Sequence, residues 1–364
     1  MKSNSFDWFF PSFCEKEKQS LNKLVKSNFL NEGALTRKFE SKVSKFLNVK
    51  YAVCVTSGTI AIALSLLAIG VRRGDKVIIP NFTFIATANA VTLIGATPIF
   101  VDVLEDNFTI DVNKIEKLMK NNIKAIIPVD VNGRACDYKN LEIISRKYNI
   151  PLISDSAEAL GSKANGKFLG TFGDCGCFSF SAAKTLSTGQ GGMIVTNKKN
   201  IYNRLLELKD QGRRKRGTGG NDLHPVIGFN FKYTDLQASV GIEQFYKLKK
   251  RIYNFKSRDL NYSKNLKGID EIIIPQKRKD EVLQWFDVLI KKKKKELLKF
   301  LKRKKIGYRE FWYPITSQKP YKKNRIFKNT FKISKEGLWL PSNFFLKKEH
   351  VEEICYYISK FYGN

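Results

Sequence analysis

The chain lacks paired cysteines. Its six (Cys14, Cys54, Cys136, Cys175, Cys177, Cys355) are scattered, and Cys175-Gly176-Cys177 has neither the two-residue gap of a zinc knuckle nor a partner pair. That excludes a disulfide-stapled scaffold, gives no metal site, and makes a reduced, cytoplasmic protein the expectation. Long apolar runs are missing too. The most apolar stretch, Ala61 to Val71, is interrupted by Ser65 and Gly70 and is shorter than the roughly 20 residues a spanning helix needs, so no membrane insertion is expected. The opening MKSNSFDWFFPSF is broken by Asp7 and Pro11 and has no small-residue cleavage site, unlike a signal peptide. Acidic residues are scarce: 34 Asp and Glu stand against 65 Lys and Arg, with two His, for a net charge of +31. Such a surplus suits polyanionic partners or anionic small substrates. Lysine is nevertheless spread along the whole chain with Asn, Ile and Phe, which is the pattern of solvated surface charge.

The 364 residues are 43% hydrophobic, with 24 Gly and 10 Pro, the composition of a folded, soluble protein with a sizeable core. From residue 50 onward, short β-branched runs alternate with helical patterns. Strands are expected at 51–56, 76–80, 97–102, 125–129, 151–155, 176–180 and 192–196, and Ser57-Gly58-Thr59 opens an apolar helix through Ile69. This rhythm predicts a large α/β domain with a mostly parallel sheet over residues 1–250, the N-terminal arm included. Residues 210–234 form a glycine-rich basic excursion, followed by a helical pattern from Asp235 to Arg251. Residues 251–364 read as a smaller α+β domain. Within it, Lys291 to Lys305 places Leu297, Leu298 and Leu301 on one helical face with lysines on the others, a surface helix rather than a phosphate-tracking patch.

Three features carry chemistry. In Thr56-Ser57-Gly58-Thr59 a strand runs into a helix whose free N–H groups and dipole can accept a phosphate, although an ordinary N-cap looks the same. Asp155 ends the apolar strand Pro151-Leu-Ile-Ser, at the edge where α/β sheets place their ligands and where a carboxylate can meet a cation. Lys184 lies between the apolar run Phe178-Ser-Phe-Ser-Ala-Ala and a loop of Thr, Ser and Gly, five residues after Ser179, a setting that lowers an amine's pKa and makes it nucleophilic. A reactive lysine, a carboxylate for a pyridine nitrogen and a phosphate cup together describe a pyridoxal 5'-phosphate site.

From about residue 8 to its end, the chain resembles the DegT/DnrJ/StrS family of sugar aminotransferases, which share fold type I with aspartate aminotransferase. The resemblance rests on an ordered series: Leu30-Asn-Glu-Gly33 with Phe39-Glu40, Thr56 to Thr59, Pro80-Asn-Phe-Thr-Phe84, Asp155-Ser-Ala-Glu-Ala-Leu-Gly161, Gly173-Asp174, Phe178 to Lys184, Gly189-Gln-Gly-Gly192, and Gly228-Phe-Asn-Phe231 with Thr234-Asp-Leu-Gln237. It implies that Lys184 is the Schiff-base lysine and proton carrier, that Asp155 pairs with the pyridinium nitrogen, and that Phe84 stacks on the ring. Gly58, Thr59 and Ser179 would hold the phosphate, with Asn230 supplied by the neighbouring subunit of a homodimer. Glu158, beside cofactor and sugar, resembles the branch that makes GDP-perosamine, and Lys184 distinguishes the chain from the dehydratase branch, where a histidine replaces it.

The expected reaction is transfer of an amino group from L-glutamate to a keto carbon, C4 foremost, of a nucleotide-linked keto-deoxysugar for surface glycan synthesis. A 3-keto acceptor is the alternative within the family, and a basic nucleic-acid-binding protein reusing the fold is the alternative outside it. Tyr313 is a candidate sugar contact, although Tyr313-Pro314-Ile315 is followed by Thr316 where relatives often carry histidine. Arg213 and Arg214 are candidates for gripping the nucleotide diphosphate.

Overall fold

The computed structural model describes residues 6–213 and 222–363. Seven strands build the main sheet: β1 (Tyr51–Val55), β2 (Lys76–Pro80), β3 (Thr97–Val101), β4 (Ile123–Ile126), β5 (Ile153–Asp155), β6 (Cys175–Ser179) and β7 (Gly192–Thr196). Hydrogen-bonded pairing gives β1-β7-β6-β5 and β3-β2-β4. The parallel bridges Ile126 to Leu152 and Val129 to Asp155 join the two into the order β1-β7-β6-β5-β4-β2-β3. Only β7 runs against its neighbours, so the expected mostly parallel sheet is present. Both faces are covered, and the strands are accordingly continuous apolar runs rather than alternating ones. The inner helix α3 (Gly58–Ala68) is apolar all round and buries Ala61, Ile62, Leu64 and Leu66 on the sheet.

This topology places the site. Because β1, β2, β4, β5 and β6 run the same way, the segments after them (Ser57-Gly58, Thr83-Phe84, Val129-Asp130, Asp155 and Ser179) emerge at one edge. The loop from Phe180 to Gly191 enters the antiparallel β7 from that edge as well.

The second lobe is a four-stranded antiparallel sheet of β8 (Ile272–Ile273), β9 (Phe286–Ile290), β10 (Arg309–Glu310) and β11 (Gly337–Leu340), in the order β8-β9-β11-β10. The lysine-rich stretch folds as the helix Lys294–Arg303 with Leu297, Leu298 and Leu301 buried. The helical pattern expected from Asp235 to Arg251 divides at Lys247 into α4 (Asp235–Tyr246) and α5 (Leu248–Asn265). Leu248 at the start of α5 belongs to the large-lobe core, while Tyr262 and Leu266 near its end belong to the small-lobe core. The chain therefore crosses between cores inside one helix. The first described residues, expected with the large domain, dock on the small lobe: Gly307 N donates to Phe6 O at 2.7 Å, Ser342 N donates to Trp8 O at 2.8 Å, and the Trp8 and Trp285 rings lie 5.3 Å apart. Aromatic area buried against the small lobe holds the arm there.

Asp235 joins distant segments. Its carboxylate accepts from Gly33 N at 2.9 Å, Leu35 N at 3.1 Å, and Thr36 N and Oγ1 at 2.8 and 2.7 Å. These are the orphan donors at the start of α2 (Ala34–Leu47), and a carboxylate there also complements the helix dipole. Asp235→Ala is expected to lower unfolding free energy by about 3 kcal/mol, because buried charge-assisted bonds are lost and N–H groups are left unpaired. Chemical denaturation of the purified variant measures it.

Candidate functional site

The cup begins at α3. Ser57 caps this helix, its Oγ accepting from Ile60 N at 3.2 Å. The N–H groups of the first turn, Gly58 and Thr59 among them, have no acceptor inside the helix. A Cβ on Gly58 would lie 2.9 Å from the Ser179 Cβ, so glycine is what lets the helix start approach the end of β6. The Thr59 and Ser179 side chains line the same cavity of about 370 Å³. Free N–H groups, two hydroxyls and the positive helix end suit a phosphate.

On the cavity floor, Asp155 is 4% exposed. Thr87 Oγ1 donates to its Oδ2 at 2.7 Å and Ala157 N to its Oδ1 at 3.2 Å. Among the described residues no lysine or arginine forms an ion pair with it. Burial, aided by the nearby Glu158 charge, raises its pKa to about 6 against the opposing pull of Thr87, Ala157 and Lys184. Asp130 lies beside it, fully buried, accepting from Ser156 Oγ at 2.5 Å and Tyr138 OH at 2.8 Å. Burial lifts it to about 7 despite those donors.

Lys184 faces them from the loop after β6. Its Nζ donates to Glu158 Oε1 at 3.0 Å and lies 5.4 Å from the Trp285 ring centroid. Asn132 fixes both neighbours of this amine. Its backbone N donates to Glu158 Oε2 at 3.0 Å, while its side chain accepts from Trp285 N at 2.9 Å and donates to Trp285 O at 2.7 Å. Asn132 adopts φ +52° to do so, a region asparagine tolerates better than most residues. Behind it, Arg134 and Asp287, both fully buried, form an ion pair at 2.5 Å. This pair ties the large lobe to β9 of the small lobe. Phe84, half exposed, and Trp312 and Arg309 from the small lobe also line the wall.

The cavity thus brings together Gly58, Thr59, Phe84, Asp155, Glu158, Ser179 and Lys184. Asn230 does not reach it: this residue is exposed and bridges Asp210. Tyr313 is 75% exposed, and its neighbour Trp312 takes the position on the wall. Arg213 pairs with Asp222 at 2.8 Å and lines a separate cleft with Arg37 and Lys232. Arg214 lies outside the described residues. Sequence reasoning missed Thr87, Asn132, Trp285, Arg309 and Trp312. Only Thr87, three residues beyond the Phe84 motif, stood close to a signal; the others enter through lobe packing.

The residues present fit pyridoxal phosphate. The cup would take its phosphate, and the buried, unpaired Asp155 carboxylate matches a protonated ring nitrogen. Lys184 supplies the amine at a distance from Asp155 that one cavity spans. A family profile described as the DegT/DnrJ/EryC1/StrS aminotransferase family matches residues 11–359. The chain belongs to this family. Its members depend on pyridoxal phosphate, and the membership decides for an enzyme over a nucleic-acid-binding protein. The chain is 35% identical to a GDP-perosamine synthase of Escherichia coli O157:H7 over 97% of its own length and 98% of the relative's. It is 38% identical to a UDP-N-acetyl-3-dehydro-alpha-D-glucosamine 3-aminotransferase of Acidithiobacillus ferrooxidans, over 64% of this chain and 62% of the other. The structure of Helicobacter pylori PseC, an aminotransferase of pseudoaminic acid biosynthesis, superposes with a TM-score of 0.92 at 25% identity, covering 99% of this chain and all of that one.

The raised Asp155 pKa has a sign that can be measured in the cofactor-free chain. A carboxyl whose folded pKa stands above its unfolded value favours folding below the unfolded pKa, and this contribution is lost as pH rises through the folded one. Asp155→Asn removes this contribution. The variant is therefore expected to gain stability relative to wild type as pH rises from roughly 4 to 7, across the interval between the usual carboxyl value and about 6. Denaturation of both apo proteins at several pH values checks it.

Proposed function

We propose that the enzyme moves an amino group from L-glutamate to C4 of a nucleotide-linked 4-keto-6-deoxysugar, as a homodimer with shared active sites. The observation that carries the reading is Lys184 and the unpaired Asp155 on one cavity with the Gly58, Thr59 and Ser179 cup. The perosamine-synthase relative, alike over nearly its full length, supports the nucleotide sugar and the C4 position, as does Glu158 beside Lys184.

When bound, the cofactor would supply the carbon that carries the amino group and an electron-withdrawing ring. Asp155 would hold the proton on the ring nitrogen, which makes such a ring an effective electron sink. Lys184 would hold the amine that takes the proton from the α-carbon of the donor and carries it within the cavity. In the second half-reaction it works in the opposite direction on the sugar carbon. Glu158, hydrogen-bonded at 3.0 Å and locked by Asn132, keeps that amine aimed between its two proton positions. Phe84, Trp285 and Trp312 exclude water from the reacting carbons. Exposed Asn230 and half-buried Arg213 lie outside their own cavity and serve the partner subunit's, Asn230 on the cofactor phosphate and Arg213 on the nucleotide diphosphate.

A 3-keto acceptor is the second reading, favoured by the 3-aminotransferase relative. The two differ in which sugar carbon the pocket presents to Lys184.

The test is an absorbance titration of the holoenzyme. L-Glutamate is expected to bleach the visible cofactor band, and a GDP-linked 4-keto-6-deoxysugar to restore it, with the new amine on C4 by NMR of the product. Restoration only by a 3-keto nucleotide sugar selects the second reading. Lys184→Ala is expected to lower turnover at least about 1000-fold, the scale of losing the proton carrier, while its melting temperature stays near wild type.

A further inference from the structure

One cation on the cavity wall is left without a counter-ion. Arg309 sits in β10, where its backbone pairs with Trp339 of β11. Its guanidinium carbon lies 4.9 Å from the Trp8 ring centroid and 5.8 Å from that of Trp339. Two indoles therefore hold the planar fork in place. The side chain is only partly exposed, and among the described residues no carboxylate comes within ion-pair distance of it. Holding a guanidinium away from water without a partner is costly. The cost is recovered when a ligand brings the anion.

We propose that Arg309 is the carboxylate anchor for the amino donor, taking the donor's α-carboxylate on its two-pronged edge. This rests on the aminotransferase reading and names the handle by which that enzyme would recognise its donor. Three anionic groups besides the cofactor phosphate enter such a cavity: the donor's α-carboxylate, its γ-carboxylate two methylenes further from the reacting carbon, and the diphosphate of the nucleotide sugar. The α-carboxylate is attached directly to the reacting carbon. The diphosphate is attached at C1, across the sugar ring from C4. Arg309 shares the cavity with Glu158 and feels its charge, and Glu158 lies 3.0 Å from the Lys184 amine. Arg309 thus belongs to the reacting end of the cavity, where the α-carboxylate is. A rigid planar fork also matches a planar carboxylate with two parallel hydrogen bonds.

The test titrates holoenzyme with L-glutamate, and with the same amino acid carrying an amide in place of its α-carboxylate. Wild type, Arg309→Gln and Arg309→Lys are compared, each first checked for a wild-type cofactor spectrum. Arg309→Gln is expected to raise the glutamate concentration for half-maximal bleaching roughly 10- to 100-fold, the size of a lost charge-assisted pair. Arg309→Lys restores part of that loss. Wild type discriminates against the α-amide by a similar factor, and Arg309→Gln does not. The KM for the nucleotide sugar, measured from the aminated cofactor form, stays within about threefold of wild type. An unchanged glutamate titration in Arg309→Gln overturns the proposal. So does a defect confined to the nucleotide sugar, which assigns the guanidinium to the diphosphate. If Arg309→Gln fails to load cofactor, wild type alone still decides, because equal handling of glutamate and its α-amide overturns the anchor. A wild-type enzyme bleached by no amino acid contradicts the aminotransferase reading itself, a result distinct from either of these.

Discussion

A carboxylate buried at the end of a parallel strand, with no cation of its own, is the constraint around which the site is arranged. Asp155 is held by Thr87 Oγ1 and Ala157 N, and these donors do not overcome the cost of burial, which leaves its pKa at about 6. A protein seldom retains such a group unless a ligand completes it. The protonated nitrogen of a pyridine ring would supply the missing charge. Gly58 and Ser179 would then hold the phosphate, and Lys184 would meet the reactive carbon.

Sheet topology and lobe docking divide the remaining work. Parallel strands deliver the phosphate cup, Asp155 and the loop bearing Lys184 to one edge without long-range side-chain contacts. The small lobe closes the cavity with Trp285, Arg309 and Trp312. Asn132 makes the two contributions depend on one another, since the residue that aligns Glu158 is hydrogen-bonded on both sides of the Trp285 backbone. The buried Arg134 and Asp287 pair behind it fixes the distance between lobes.

The parts of this site that could be read in the sequence are those encoded locally. Gly58, Asp155, Ser179 and Lys184 follow strands whose apolar runs announce them, and a parallel sheet brings such ends together by geometry alone. The limits of β2 and β7 were likewise legible, as short buried runs between turn residues, whereas β4, expected at 125–129, runs from Ile123 to Ile126. Asn132, Trp285, Arg309 and Trp312 carry no local signal. Their roles arise from the docking of two cores and from a left-handed asparagine turn, neither of which leaves a periodicity. The same reason explains Tyr313: the motif located the loop, but packing against Phe82, Phe84 and Trp339 turned Trp312 inward and left its neighbour outside. The placement of the N-terminal arm on the small lobe also depended on surfaces distant in sequence, the Trp285 ring against Trp8 and the Gly307 and Ser342 backbone.

The central claim is that Asp155 is ionised against a protonated cofactor nitrogen. It is tested most directly by the ¹⁵N chemical shift of ring-labelled pyridoxal phosphate bound to the wild-type enzyme at about pH 8. Pairing with Asp155 predicts a protonated pyridinium nitrogen at that pH. A shift characteristic of the unprotonated ring would contradict the account, since Asp155 would then be a buried acid with no charge to meet.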